Sequence, residues 1–272
     1  MEIQGTVAIV TGAGSGIGEA VSLELVRRGV KAIGLVDQSP CATQLAGSIN
    51  QFTNNRVQAV ACVGDVADEA FRRQVFDDIS AKWGTVRIFV PAAGITRDSL
   101  AAKIDKTTGK AALHPMEDFR RVVEINLIAP IYWALEMLGR IAEDRFSHGL
   151  KRWQSDEHIQ GTVVFIGSVS SRGNKGQIAY AATKAGLEGA ARTLMMEAMF
   201  HGVRCGVIHP GFTDTPMVHK LGEDLIREQV LPHTQLGRLI RPEEIADAIC
   251  FMIANSAVSG ELWADAGWHP AA

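Results

Sequence analysis

The chain has 272 residues, 47% hydrophobic and 21% charged, and its 27 Lys and Arg against 30 Asp and Glu leave a net charge of −3. At roughly 150 residues per domain this is one or two folded domains, far from disordered compositions and with no global electrostatic pull toward nucleic acid or an anionic membrane. No uninterrupted apolar run approaches the roughly 18 residues of a membrane helix, and no basic-then-apolar leader is expected after Met1-Glu2. The cysteines Cys41, Cys62, Cys205 and Cys250 are far apart, with no C-x-x-C and no clustered His. They read as reduced packing residues of a cytoplasm-like compartment, and no metal site is expected.

Residues 6–10 form a continuous apolar run ended by Thr11-Gly12, the pattern of a strand buried on both faces. Residues 16–29 read as a helix closed by Gly29. Further strand-length runs lie at 32–36, 57–63, 86–92, 162–166, 203–208 and 261–264, and residues 116–142 read as one helix. Seven strands with intervening helices predict a single α/β domain over residues 1–272, a doubly wound parallel sheet with helices on both faces. Two polar insertions interrupt the rhythm, at 97–115 and 144–160. Loops of that length inside a compact domain tend to carry function.

The first strand runs into Thr11-Gly12-Ala13-Gly14-Ser15-Gly16-Ile17-Gly18, a T-G-x-x-x-G-x-G spacing rather than G-x-G-x-x-G. Glycines let the backbone approach a pyrophosphate, whose charge then sits at the positive end of the following helix. Asp37 ends the second strand 19 residues after Gly18, where an acid would accept hydrogen bonds from the adenosine ribose. A carboxylate there repels a 2′-phosphate, and neither Ser15 nor Gln38 is basic. NAD(H) is therefore expected over NADP(H). Gly64-Asp65-Val66 follows the third strand at the same sheet edge. Asp65 could meet the adenine amino group or could cap a helix.

The chain has two tyrosines, and one of them, Tyr180, precedes Lys184 by four residues. That spacing puts phenol and ammonium on one helix face. A phenol of pKa near 10 is a poor base at neutral pH, and a nearby ammonium is expected to lower it toward the working range. Tyr180 would then exchange a proton with an alcohol or ketone while hydride moves to or from a nicotinamide. Ser168, at the end of the fifth strand, would hold the same substrate oxygen. Pro130 lies four residues after Asn126, so an α-helix there would leave the Asn126 carbonyl without its donor, free for a water; a packing kink is the alternative.

These residues resemble the signature of the short-chain dehydrogenase/reductase family along almost the whole chain: the loop 11–18, Asp65, Gly94, Asn126, Ser168, Tyr180, Lys184, Pro210-Gly211 with Thr213 and Thr215, and Asp265. The resemblance implies a Rossmann-type fold and a set of roles. Asn126, Ser168, Tyr180 and Lys184 would be catalytic. Gly12, Ser15, Gly16, Ile17, Gly18, Asp37, Asp65, Val66, Ala93, Gly94, Tyr180 and Lys184 would hold NAD. Pro210, Gly211, Thr213 and Thr215 would lie at its nicotinamide end. Two departures are visible. Pro91-Ala92-Ala93-Gly94 replaces the usual Asn-Asn-Ala-Gly, and Asp265-Ala266-Gly267 replaces Asp-Gly-Gly.

Within that family the chain is similar to 3-oxoacyl-acyl-carrier-protein reductases around 94–98 and to type II 3-hydroxyacyl-CoA dehydrogenases elsewhere. A 3-oxoacyl or 3-hydroxyacyl thioester is the implied substrate, with Gln177 beside Ser168 and Tyr180 in its pocket. A steroid or other alcohol, or a non-catalytic NAD-binding sensor or subunit, would be alternatives. The insertion at 97–115 is locally basic, and a helical turn would align Lys103, Lys106 and Lys110 toward CoA phosphates; a merely solvated loop is the other reading. Small residues along 181–191, with Leu187, Leu194 and Met195, suit close approach of another helix, and the resemblance implies a homotetramer or homodimer.

Overall fold

The computed structural model describes residues 1–268. The first half alternates strand and helix: β1 (Val7–Thr11), α1 (Gly16–Arg27), β2 (Ala32–Asp37), α2 (Cys41–Phe52), β3 (Gln58–Val63), α3 (Glu69–Trp83) and β4 (Ile88–Pro91). A small hairpin, β5 (Ala102–Ile104) and β6 (Ala111–Leu113), precedes α4 (Met116–Val123) and α5 (Ala129–Ser147). Then come β7 (Gly161–Ile166), α6 (Ile178–Glu197), β8 (Val203–Pro210), the short helices α7 (Pro216–His219) and α8 (Glu223–Leu225), α9 (Pro242–Ala254) and β9 (Gly260–Ala264).

Seven strands pair in parallel in the order β3-β2-β1-β4-β7-β8-β9. This is the doubly wound sheet expected from the alternation of buried runs and amphipathic helices. The order reverses between β1 and β4, which opens a crevice at the carboxyl ends of those strands. One face of the sheet packs Val10, Leu35 and Val164 against Leu25, Ile49 and Ile249 of α1, α2 and α9. The other packs Ile9, Phe89 and Phe165 against Phe76, Trp133 and Leu187 of α3, α5 and α6. Trp133 is fully buried, lies parallel to Phe89 at 6.0 Å between ring centres, and donates its indole N–H to the Val66 carbonyl at 2.8 Å. Its truncation to alanine would cost about 3–5 kcal/mol.

Two expectations about the backbone change. The insertion at 97–115 forms the antiparallel β5–β6 hairpin, not a helical turn. Asp105 turns it by accepting from the Thr107 and Thr108 amides, and Gly109 takes the left-handed conformation (φ 68°) that closes it. Lys103 lies in β5 opposite Ala112, Lys106 in the turn and Lys110 just before β6, so the three lysines share no helix face. Second, the helix from Met116 is not continuous α. A π turn at Glu124–Ile128 separates α4 from α5, with the Ala129 amide bonded to the Glu124 carbonyl, and Pro130 falls in the first turn of α5. The wider turn accommodates the missing proline N–H. Met116–Ser147, as a 32-residue helical run, is long and apolar enough to cross a membrane by length and composition, with an 18-residue window of mean hydropathy 1.3, although no uninterrupted apolar run of that length lies in it. Its Trp133, Met137 and Ile141 are fully buried in the core.

Candidate active site

The loop after β1 turns sharply because Gly12 and Gly16 adopt φ of 67° and 57°. A Cβ on Gly12 would lie 2.6 Å from the Ala93 amide nitrogen, and one on Gly16 would lie 2.9 Å from Thr215 Cγ2. Only glycine therefore lets this loop, the end of β4 and the 215 loop converge. They border an open crevice, about 930 Å³ counting the solvent at its mouth, whose floor is the amino end of α1. Ser15, Ile17 and Gly18 line it beside Gly12 and Gly16; opposite stand Asp37, Val66, Ala93, Gly94 and Thr215. Ser15 caps α1 without spending its hydroxyl on the helix, so the free amides and positive pole of α1 face an anionic group there. Asp37 is held rigidly: Oδ2 accepts from the Gly14 amide and Oδ1 from the Ser39 amide, each at 2.8 Å.

Other predicted cofactor residues stand elsewhere. Asp65 does not line the crevice, and it does not cap α3 either, because Asp68 takes that place by accepting from the Ala70 and Phe71 amides. Asp65 accepts from the Ala67 amide and pairs with Arg121 at 2.8 Å. Partial burial pushes its carboxyl up, but Arg121 and that amide outweigh it and hold the pKa below the ordinary value. Thr213 is buried with its hydroxyl donated to the Gly211 carbonyl, so it does not reach the crevice. Pro210 ends β8 behind it, and Gly211 borders the neighbouring cleft instead.

That second cleft, open to solvent and about 520 Å³ counting the solvent at its mouth, is lined by Ser168, Tyr180 and Gln177. The sequence did not single out its apolar wall of Phe212, Met217, Val218 and Leu221, nor Asp98, whose Oδ2 accepts a hydrogen bond from Gln177 Nε2 at 2.8 Å. The Gln177 carbonyl oxygen accepts from the Ser170 hydroxyl and the Asn174 amide. Gln177 is thus fixed between the 170 turn and the base of the insertion. Met217 borders both cavities. An apolar residue in a four-residue helix has no periodic signal by which a sequence could reveal it.

Tyr180 and Lys184 share the face of α6 that meets β7. Lys184 is buried and donates to the Ile166 carbonyl at 2.7 Å, with its ammonium 5.4 Å from the centre of the Tyr180 ring. The expected lowering of the phenol pKa is not what this pair gives. Burial pushes Tyr180 up to about 12, with the Ser168 hydroxyl opposing and Asp98 adding to the rise. Burial likewise draws Lys184 down to about 8. The desolvation of both groups outweighs the ammonium's pull on the phenol.

Asn126 sits in the π turn, 1% exposed, and its amide clasps one residue: Oδ1 accepts from the Ile95 amide at 2.9 Å and Nδ2 donates to the Ile95 carbonyl at 2.8 Å. The Gly94-Ile95 edge of the cofactor crevice is thereby tied to α4 and α5. Where Pro91-Ala92-Ala93 lacks a side-chain amide, Thr11 braces β4 through its carbonyl to the Ala92 amide and its hydroxyl to the Ala93 amide.

Comparison with known proteins agrees with this geometry. The profile of the short chain dehydrogenase family matches residues 6–226. The chain is 33% identical over 264 residues to the 3-oxoacyl-[acyl-carrier-protein] reductase of Salmonella typhimurium, covering 96% of each. It is 30% identical over 261 residues to the (3R)-3-hydroxyacyl-CoA dehydrogenase of Canis lupus familiaris, covering 94% of this chain and 92% of the other. Its fold is shared with a 3-ketoacyl-(acyl-carrier-protein) reductase from Brucella melitensis, solved with NADH, at a TM-score of 0.78 and 23% identity over 97% of this chain and 98% of that one. The chain belongs to the short-chain dehydrogenase family.

Proposed function

We propose that the protein is an NAD(H)-dependent oxidoreductase interconverting a secondary alcohol and a ketone, with a 3-oxoacyl or 3-hydroxyacyl thioester as substrate. The observation that carries this reading is that Ser168 and Tyr180 line one cleft which meets the glycine-loop crevice at Met217. The crevice fits a nicotinamide dinucleotide: it offers the amino end of α1 to a pyrophosphate and a fixed carboxylate, Asp37, to a ribose. When bound, that cofactor supplies or accepts hydride. Asp37 favours the cofactor without a 2′-phosphate, since among the described residues no Lys or Arg lines this crevice to offset such a charge.

The protein's own part is positioning and proton transfer. Tyr180, kept as neutral phenol by burial, is suited to donate a proton to the oxygen of a ketone as it is reduced. Ser168 would hold that oxygen, and Lys184 would hold the ribose and compensate charge that develops on Tyr180. Asn126 would fix the Gly94-Ile95 edge and offer its carbonyl to a water. The Phe212–Leu221 wall suits an acyl chain, and Gln177 its polar end.

The names of the relatives support a thioester. CoA is the carrier we favour, and acyl carrier protein is the second reading, favoured by the reductase from Salmonella typhimurium. A homodimer or homotetramer is part of the proposal. Leu187 and Leu194 are buried in the chain's own core, but Ala182, Ala185 and Gly189 of α6 and Tyr132 and Leu135 of α5 lie exposed. A soluble, cytoplasm-like location fits the four unpaired cysteines.

The test is oxidation of NADH and NADPH with acetoacetyl-CoA, the same acyl group on acyl carrier protein, and small free ketones. Turnover of a thioester with NADH at a higher kcat/KM than with NADPH is expected. Cofactor binding without turnover of any ketone would instead mark a non-catalytic nicotinamide-binding subunit.

A further inference from the structure

His209, immediately before Pro210-Gly211, is fully buried and belongs to no group assigned above. Its ring stands behind Ser168. Nδ1 lies 3.3 Å from the Ser168 amide nitrogen, which donates to it, and equally 3.3 Å from the Ser168 carbonyl oxygen. The ring can come this close only because residue 167 is glycine: a Cβ there would lie 2.5 Å from Nδ1. On its other edge Nε2 faces two carboxylates, Glu261 of β9 at 3.4 Å and Glu188 of α6 at 3.9 Å.

The ring is also one layer of a stack. Trp263, its partner in the β8–β9 register, lies parallel to it at 4.1 Å, and the Arg172 guanidinium covers the indole at 3.7 Å. Arg172 closes the 3₁₀ turn Val169–Arg172, which Ser168 caps, its hydroxyl oxygen accepting from the Ser170 amide at 3.1 Å. The turn is therefore gripped at both ends by one column, His209 on the Ser168 backbone and Trp263 beneath Arg172. Together the two carboxylates and the imidazole could suggest a cation site. The Ser168 amide argues against it: in the tautomer whose Nδ1 lone pair takes that N–H, the ring proton sits on Nε2, which faces the carboxylates and has no ligating lone pair.

We propose that His209, backed by Glu188 and Glu261 and stacked through Trp263 on Arg172, is a positioning residue that sets where the Ser168 hydroxyl meets the substrate oxygen. The inference rests on the assignment of Ser168 to that oxygen. Neutral His209 accepts from the Ser168 amide. Once protonated it can only donate, and its Nδ1–H would turn to the Ser168 carbonyl at the same distance, shifting the turn. The charged groups around the ring are Glu188 and Arg192 on α6, Glu261 on β9, to which Arg192 is bonded at 2.7 Å, and Arg172 beyond Trp263. Burial holds the imidazole pKa below the ordinary 6.5 despite the carboxylates, so the neutral form prevails at neutral pH.

Three variants test it. His209→Asn keeps an acceptor where Nδ1 stands; His209→Phe keeps the stack on Trp263 and removes the acceptor; Ser168→Ala removes the hydroxyl. With a 3-oxoacyl thioester and NADH, His209→Phe should lose about 10- to 100-fold in kcat, as expected when a reacting contact is misplaced by about 1 Å. Its NADH affinity should be unchanged, and His209→Asn should recover to within about fivefold of the parent. The parent's kcat should fall in acid with an apparent pKa below 6.5, and His209→Asn should lack that limb. In the Ser168→Ala background, His209→Phe should cost little more, because the two changes remove one function. Equal kcat for His209→Phe and the parent, while Ser168→Ala is impaired, would overturn the proposal alone. Full activity of Ser168→Ala would overturn the assignment of Ser168 beneath it. Equal losses in both His209 variants, with weakened NADH binding, would reduce His209 to packing and contradict the proposal.

Discussion

The cofactor crevice and the substrate cleft meet at Met217, yet they are built from different material. The crevice is walled by strand ends and the start of a long helix, with side chains fixed by backbone amides, as Asp37 is. The cleft is walled on one side by the equally rigid Ser168 and Tyr180, and on the other by the short α7 and the segment beyond it. From its rim the 97–113 excursion projects with every residue exposed. The difference separates two kinds of specificity. Reaction type and cofactor are set by the sheet edge, where a change disturbs the core, and substrate identity by segments that contribute little to it.

The largest effect should come from the rigid side of the cleft. Tyr180→Phe should lower kcat by about 10²–10⁴, the range of general acid–base catalysis, with NADH affinity preserved in a fluorescence titration. Activity within a few-fold of the parent would place the proton donor elsewhere.

A second effect is on stability and follows from burial of the same helix face. Lys184 titrates at about 8 in the fold against an ordinary 10.5. Between those values the unfolded chain binds a proton that the native state does not, so unfolding free energy rises with pH. The rise totals up to about 3 kcal/mol at about 1.4 kcal/mol per unit. Tyr180, at about 12 against an ordinary 10, acts in the opposite sense: from pH 10 upward the native state keeps a proton the unfolded chain loses, and stability falls. Urea unfolding of the cofactor-free protein should show the rise from pH 8 to 10, and Lys184→Met should flatten it. An unchanged slope in the variant would contradict the buried placement of this ammonium.

The crevice should answer to Asp37. Asp37→Ala should weaken NADH binding at least about tenfold, the worth of one charge-assisted hydrogen bond, and raise NADPH turnover relative to NADH. A parent that already prefers NADPH would break the assignment of Asp37. The smallest effect belongs to the excursion. Ile104→Ser and Leu113→Ser, on fully exposed strands, should each change stability by less than about 0.5 kcal/mol, and loss of several kcal/mol would show that the hairpin is packed against a second copy or another part of the fold.

The sequence reveals most where local rules and global packing agree. Buried runs such as Val7–Thr11 and Val203–Pro210 announce parallel strands, and the Thr11–Gly18 loop announces its crevice because conformation and close approach both demand glycine there. Tyr180 and Lys184 are legible by helical spacing, but their protonation is not, since it depends on burial by the surrounding fold. The hairpin was hidden because Lys103, Lys106 and Lys110 also fit a helix period, and the turn that decides between them rests on Asp105 and Gly109. Pro130 signals a disturbance that the π turn resolves. His209, Glu188 and Glu261 come from three elements brought together only by the β8–β9 pairing and α6, so no spacing could reveal them.

The most direct test is a single-turnover measurement with NADH, mixing the NADH-loaded protein with acetoacetyl-CoA and following cofactor absorbance for the parent and Tyr180→Phe. The parent should oxidise one NADH per active site with one 3-hydroxyacyl-CoA formed, and the variant should bind both ligands yet react at least about 10²-fold more slowly. Persistent NADH in the parent with acetoacetyl-CoA demonstrably bound, or undiminished reaction in the variant, would contradict the account.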